Sequence, residues 1–144
     1  MKYSTVTLNR YVLDANVLIS AVLSSLSTAN QAYLKALDTG IVLISTETFS
    51  EYERVIFRSK FDRYVSVSRR QAFLIELRSV AEFIPIVERV TDCRDEKDNM
   101  YLDVAVNGLA NVLITGDQDL LVLHPYRENL PILNPSDFIF NFHG

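Results

Sequence analysis

The 144-residue sequence has few glycines and prolines, a single cysteine and no long hydrophobic run. Cys93 cannot form a disulfide within the chain, which is typical of proteins in a reducing compartment. No apolar run is long enough to cross a bilayer. The apolar stretch over residues 11–26 is interrupted by Asp14 and Asn16 and does not resemble a secretory signal. We therefore expect a soluble cytoplasmic protein that does not associate with membranes.

The sequence also lacks internal repeats, low-complexity segments and linkers. Hydrophobic residues make up 49% of the chain, which is enough for a sizeable core, and charged residues make up an ordinary 22%. This composition excludes a disordered chain. It predicts one globular domain over residues 1–144.

Positive charge is scarce overall but concentrated in one segment. The net charge is −4, whereas a nucleic-acid-binding protein usually has a basic face. Residues 53–70 nevertheless hold six basic residues against only Glu53 and Asp62, and these six are Arg54, Arg58, Lys60, Arg63, Arg69 and Arg70. This segment is either a solvated helix–loop surface or a surface for an anionic partner.

Short apolar segments rich in β-branched residues alternate with longer segments of helical spacing. The short segments are apolar on both faces, which is typical of buried strands in a parallel sheet. We expect strands at residues 11–13, 41–44, 83–87, 111–114 and 131–133. We expect helices at residues 16–25, 28–38, 46–58, 68–82 and 98–109, with a short helix from Pro135. In the 98–109 helix, Asp103 and Asn107 lie off the apolar stripe. The pattern predicts a three-layer α/β/α fold with a central parallel sheet.

Acidic residues follow the predicted strands at the points where ligands bind to such sheets. Asp14 comes directly after the first strand, and Asp117 follows the strand at 111–114. The helix after the second strand carries Glu51, and Asp98 begins the helix that follows the third. Because ligands bind beyond the carboxyl ends of parallel strands, we expect these carboxylates to lie at one edge of the sheet.

Each of these acidic residues also has a purely structural explanation. Asp14, Asp98 and Asp117 could each cap a helix N-terminus, and Glu51 could form a capping box with Thr48. Together, however, converging carboxylates repel one another and raise each other's pKa, a penalty that a divalent cation removes. Mg²⁺ prefers carboxylate and water oxygens, and Mn²⁺ accepts the same ligands. The pattern therefore indicates a Mg²⁺ or Mn²⁺ site that could activate water against a phosphate ester.

Four segments of the sequence resemble those of the PIN-domain nucleases. The resemblance rests on residues 11–20 (YVLDANVLIS), 50–55 (SEYERV), 93–98 (CRDEKD) and 113–121 (LITGDQDLL). It extends from about residue 10 to about residue 138 and is greatest to the toxin-like branch, which contains the toxins of toxin–antitoxin pairs. It implies a magnesium- or manganese-dependent endoribonuclease that cuts RNA, with an antitoxin protein as a partner.

The resemblance also implies the roles of individual residues. Asp14, Glu51, Asp98 and Asp117 match the four acidic residues that bind metal and support catalysis in the family. These four residues are all present, which implies an active nuclease.

Three further positions match supporting residues of the family. Asn16 and Thr115 match polar residues that orient a carboxylate or a water molecule. Asp119 matches an outer ligand, or else it is a residue in the first turn of a helix.

The sequence departs from the family pattern at two places. Ala15 stands where threonine is common, which removes a hydroxyl group but no ligand. Lys97 and Asn99 flank Asp98 where the family often has further acids. The lower negative charge puts a second metal site in doubt.

The basic segment is expected to hold the phosphates of RNA through Arg58, Lys60 and Arg63, which follow the Glu51 helix. Alternatively, these residues bind an antitoxin or a second copy of the chain, and a homo-oligomer is expected in either case. Two other functions fit the sequence less well. A phosphoacceptor domain would need a lysine after a late strand, yet no lysine follows Lys97. A catalytically silent module that only binds a protein or RNA partner would not need all four acids.

Overall fold

A central sheet of five parallel strands organises the protein. The computed structural model describes residues 8–144. In chain order the strands are β1 (Asn9–Leu13), β2 (Gly40–Ile44), β3 (Glu82–Phe83), β4 (Val112–Ile114) and β5 (Ile132–Leu133). Their order across the sheet is β3-β2-β1-β4-β5, and every pairing is parallel. The predicted α/β fold with a central parallel sheet is confirmed.

Helices connect the strands, as parallel pairing requires. They are α1 (Ala15–Leu23), α2 (Thr28–Thr39), α3 (Thr46–Ile56), α4 (Val67–Val80), α5 (Asn99–Asn107), α6 (Gln118–Leu121) and α7 (Pro135–Asn141). Single 3₁₀ turns lie at Ser59–Phe61 and Glu96–Asp98. The bounds predicted for the longer helices agree with these to within a few residues. α6 agrees with the alternative in which Asp117 caps a helix and Asp119 lies in its first turn, whereas neither 3₁₀ turn was predicted. Among the helices of residues 8–144, none is long and apolar enough to span a membrane.

The centre of the sheet is fully buried. Tyr11, Val12 and Leu13 of β1 have no exposed surface, and the same holds for all of β4. Fully burying one such aliphatic side chain contributes about 1.5–3 kcal/mol to folding. The tightly packed ends of β1 and β4 therefore fix the positions of the residues that follow them.

The predicted strand at residues 83–87 is wrong in length and in burial. β3 contains only Glu82 and Phe83, and the Phe83 side chain is 42% exposed. The strand lies at the edge of the sheet, where one side has no partner strand. Pairing ends soon after the N–H of Ile84 donates to Ile44 at 2.8 Å, because Pro85 has no N–H with which to continue.

The segment between β3 and Asp98 is held by α5 instead. Asp103 is buried, and its carboxylate accepts a hydrogen bond from the N–H of Val90 at 2.7 Å. The Asn107 side chain accepts from the N–H of Val87 at 3.0 Å. Asp103 was predicted to lie off the apolar stripe of α5, yet it is buried, and the hydrogen bond from the loop N–H compensates for that burial.

Candidate active site

The ends of β1 and β4 bring Asp14 and Thr115 together. Leu13 and Ile114 are register partners, and the N–H of Asp14 donates to the carbonyl of Ile114 at 3.2 Å. The Thr115 hydroxyl donates to Oδ2 of Asp14, and its oxygen accepts from the N–H of Asp117 at 3.0 Å. Thr115 thus links two acidic residues that come from different strands.

Asp14 is both a helix cap and part of this site. Its Oδ1 accepts from the N–H of Val17 at 2.8 Å, which caps α1. The residue is only 4% exposed, and burial raises its pKa to about 6. The hydrogen bonds from Thr115 and Val17 oppose this rise in pKa but do not cancel it. Its role as a helix cap is therefore compatible with a role in this site.

Asp98 is not explained by helix capping. It occupies the N-cap position of α5 but makes no side-chain capping hydrogen bond. Its Oδ2 is buried and has no hydrogen-bond partner. The pKa of Asp98 is raised to about 7, chiefly by burial and secondly by the adjacent Asp117 carboxyl. A buried carboxylate oxygen without a partner is costly and calls for a ligand or a function.

Asp117 caps the short helix α6, since its Oδ1 accepts from the N–H of Asp119 at 2.9 Å. The capping prediction is thus confirmed for Asp117, as it is for Asp14. It is wrong for Asp98, where no such hydrogen bond forms.

Glu51 does not form the predicted capping box with Thr48. The N-cap of α3 is Ser45, whose side chain accepts from the N–H of Thr48 at 3.1 Å. The Thr48 hydroxyl accepts from the N–H of Ser45 at 2.9 Å and completes the box. The helix begins earlier than a Thr48 cap would require, so Glu51 lies in its second turn with no capping role.

Arg54 holds the Glu51 carboxylate. Its Nε donates to Oε1 at 2.8 Å and its Nη2 donates to Oε2 at 2.7 Å. The hydrogen bonds from Arg54 lower the pKa of Glu51 below its usual range, and the positive charges of Arg58 and Lys97 act in the same direction. Glu51 is therefore more readily ionised than an isolated glutamate.

These side chains line one polar pocket. The predicted residues Asp14, Asn16, Glu51, Asp98 and Asp117 all contribute to its wall. Arg58, which was predicted to bind RNA, also lines the pocket. So do residues for which no place there was predicted, and these are Ala15, Arg54, Val55, Asp95, Lys97 and Tyr101. The sequence does indicate one of these residues, because Arg54 follows Glu51 by three positions and so shares its helix face.

Other predicted residues lie outside the pocket wall. The Asp119 carboxylate pairs with Arg94 at 2.8 Å. The ammonium of Lys60 lies 5.1 Å from the Phe61 ring centre. The structure therefore brings Arg58 of the basic set to the pocket and leaves Lys60 and Arg63 on the neighbouring surface.

The donor set of the pocket suits a hard divalent cation. It offers carboxylate oxygens, with no sulfur or imidazole among its lining residues. Within residues 8–144, no three His, Cys, Asp or Glu side chains stand close enough to hold a metal ion as they are. Glu51 is occupied by Arg54, whereas Oδ2 of Asp98 is left without a partner. The residues present therefore fit such a cation by their donor chemistry.

Residues 10–119 match the PIN domain family. The match spans most of the chain and contains Asp14, Glu51, Asp98 and Asp117, so the chain belongs to the PIN domain family. Members of this family are generally nucleases and typically use divalent metal ions. Uncharacterized protein MJ1680 of Methanocaldococcus jannaschii is a similar protein, 29% identical over 142 residues, which cover 92% of this chain and 91% of that protein.

Two solved structures share the fold. PAE2754 from Pyrobaculum aerophilum aligns with a TM-score of 0.60 at 16% identity, covering 94% of this chain and 96% of that one. VapBC2 from Rickettsia felis, bound to a DNA fragment from their promoter, aligns with a TM-score of 0.58 at 16% identity, covering 87% of this chain and 98% of the matched one. At such low identity, the likeness shows the fold alone.

Proposed function

We propose that this chain is a metal-dependent endoribonuclease that hydrolyses phosphodiester bonds in RNA. In this proposal Asp14, Glu51, Asp98 and Asp117 are the catalytic residues and hold Mg²⁺ or Mn²⁺. The observation that carries it is the buried, unpartnered Oδ2 of Asp98 in a pocket that other carboxylates share. Membership of a generally nucleolytic family supports the same conclusion.

The chemistry is divided between the cation and the side chains. A divalent cation in such a pocket lowers the pKa of a water molecule and offsets the charge that develops on the phosphate. Thr115 fixes the orientation of Asp14 through its hydroxyl hydrogen bond. Asn16 is exposed at the pocket wall, where its amide can donate to a phosphate oxygen. Asp119 supports Asp117 through its backbone N–H.

The RNA strand would approach over the basic surface. Arg58 lines the pocket, and Lys60 and Arg63 follow it on an exposed turn. Cationic side chains at these positions can neutralise phosphates on either side of the bond to be cut. The resemblance to the toxin-like branch supports RNA as the substrate.

The same resemblance supports a biological role as the toxin of a toxin–antitoxin pair. One structure with this fold is VapBC2, a toxin–antitoxin protein, bound to promoter DNA. We therefore propose an antitoxin protein as a partner, and a homo-oligomer as the state of the toxin itself. The exposed apolar side chains of Val67 and Ile75 on α4 are consistent with a protein interface.

Cleavage of a labelled single-stranded RNA tests the enzymatic proposal. The purified protein should cut it with Mn²⁺ or Mg²⁺ and not with EDTA. Asp98→Asn should lower the rate about a hundredfold or more, equivalent to about 2.7 kcal/mol of transition-state stabilisation. Asp38→Asn, at an exposed position outside the pocket, is the matched control. Equal cleavage by wild type and Asp98→Asn would reject the site, and no cleavage at all would favour a catalytically silent interaction module.

Growth after induced expression tests the toxin proposal. Wild-type protein should arrest growth of the host cells, whereas Asp98→Asn at an equal protein level should not. Normal growth with an enzymatically active wild-type protein would reject the toxin role and leave the nuclease proposal in place.

A further inference from the structure

Arg54 lines the acidic pocket and is paired there with Glu51. Its guanidinium bonds to both oxygens of Glu51, at 2.8 and 2.7 Å. The Arg54 side chain is 57% exposed, whereas that of Glu51 is 21% exposed. Arg54 is thus the more solvent-exposed partner of this ion pair, and both residues line the pocket.

A divalent cation and this guanidinium compete for the same carboxylate. Each oxygen of Glu51 already accepts a charge-assisted hydrogen bond from Arg54. A Glu51 oxygen that binds the cation would have to give up that hydrogen bond. Two positive groups on one carboxylate would also repel each other. An exposed ion pair of this kind shifts an equilibrium by about fivefold or less, so it is weak enough to open.

We propose that Arg54 is the resident counter-ion of Glu51, and that it yields this carboxylate to the divalent cation and then binds a phosphate of the RNA. This inference rests on the proposed nuclease function and deepens it. The released guanidinium lies on the pocket wall beside Arg58, where the phosphate to be cut would arrive. Its planar fork of donors suits two oxygens of one phosphate as well as it suits a carboxylate.

The other basic residues of the pocket do not have this relationship. Arg58 and Lys97 line the pocket and lower the pKa of Glu51 through their charge. Arg54 is the residue that also makes hydrogen bonds to the Glu51 side chain. Substituting Arg58 therefore changes the charge near the pocket without opening the bidentate pair, which makes it a matched control for metal binding.

Titration of the purified protein with Mn²⁺ in a calorimeter, without RNA, tests the first half of the proposal. Arg54→Gln should bind Mn²⁺ about three- to fivefold more tightly than wild type, because the competing cation is gone. Arg58→Gln should change the affinity by about twofold or less. In a Glu51→Gln background, the additional Arg54→Gln change should have no effect. Equal or weaker Mn²⁺ binding by Arg54→Gln would overturn the inference.

Steady-state cleavage at saturating Mn²⁺ tests the second half. Arg54→Gln should raise the KM for a single-stranded RNA about three- to tenfold, and Arg54→Lys should recover part of the loss because it keeps the charge. An unchanged KM would overturn the phosphate-binding step. If wild type binds Mn²⁺ and cuts RNA while Arg54→Gln behaves identically, the inference alone fails. A wild-type protein that does neither overturns the nuclease function and the inference together.

Discussion

The hydroxyl of Tyr52 donates a hydrogen bond to the carbonyl of Leu13 at 2.7 Å, directly before Asp14 in the chain. On the other side of Asp14, the N–H of Ala15 donates to the hydroxyl of Tyr101 at 3.2 Å. The two tyrosine rings are stacked, with their centres 6.5 Å apart. Two buried side chains thus hold the backbone on both sides of the carboxylate.

Tyr52→Phe should therefore destabilise the protein. The change leaves the buried Leu13 carbonyl without this partner, which costs about 1–3 kcal/mol. Urea unfolding followed by circular dichroism would measure the difference. Tyr64→Phe removes a hydroxyl from a side chain that is 65% exposed and should change the free energy of unfolding by less than about 0.5 kcal/mol. Equal stability of Tyr52→Phe and wild type would show that the hydrogen bond does not support this backbone.

The sequence was sufficient to place the acidic residues, because strand ends define an edge of a parallel sheet. Asp14 and Asp117 follow β1 and β4, which are central, apolar and easily recognised. Asp98 could be placed only through its position before a helix, since the preceding edge strand is short and exposed. The spacing of three residues allowed Arg54 as the partner of Glu51, but several charged residues lie nearby and only the three-dimensional arrangement selects Arg54.

Arg70 shows a further limit of reading charge from sequence. It belongs to the basic segment of the sequence, yet it is fully buried. Its guanidinium donates to the carbonyl of Ile56 at 3.0 Å and to Asp62 at 2.7 Å. It therefore fastens the end of α3 to the turn before α4. Composition alone cannot distinguish such a structural arginine from one that binds phosphate, because both contribute the same charge.

Metal binding should stabilise the folded protein. A ligand that binds only the folded state adds about 2.7 kcal/mol when its concentration is a hundredfold above its Kd. A thermal melt with increasing Mn²⁺ at pH 8 should therefore show a rising Tm. Asp98→Asn should reduce this rise, and Asp38→Asn should preserve it. A Tm that stays constant up to millimolar Mn²⁺ would contradict a metal site in this pocket.

The stability of the metal-free protein should fall as the pH rises from about 4 to 8, because two aspartates bind protons more tightly in the folded state than in the unfolded state. Burial raises the pKa of Asp14 from 3.8 to about 6 and that of Asp98 from 3.8 to about 7. The folded state therefore holds protons that the unfolded state has released. The resulting stabilisation is fully present below pH 3.8, the pKa of the unfolded aspartates, and is lost as the pH rises through about 6 and 7. Glu51, with its lowered pKa, contributes in the opposite sense, because its stabilisation is lost as the pH falls.

Urea unfolding in EDTA across this pH range would measure the effect. Asp98→Asn cannot ionise at this position, so its stability should fall less steeply, and at pH 8 it should exceed that of wild type. Asp38→Asn should follow the wild-type curve. A wild-type stability that increases between pH 5 and pH 8 would contradict a protonated Asp98 in the metal-free protein.

The basic surface should determine how RNA affinity depends on salt. Arg58, Lys60 and Arg63 are all exposed, so replacing them together with alanine should leave the fold intact. Each phosphate contact that is lost should reduce the slope of log affinity against log salt by about 0.7 for single-stranded RNA. Fluorescence anisotropy with a labelled RNA between low and moderate salt would measure this slope.

The same triple variant distinguishes RNA binding from protein binding. None of the three residues is a proposed metal ligand, so the Mn²⁺-dependent rise in Tm should survive. Arg69 is also basic and exposed but lies on α4, outside the pocket wall, so Arg69→Ala is a single-charge control that should keep the slope. If the triple variant keeps the RNA affinity and slope of wild type, while light scattering shows a changed oligomer, this surface binds a second copy of the chain. The salt dependence then comes from other residues, with Arg54 the first to examine.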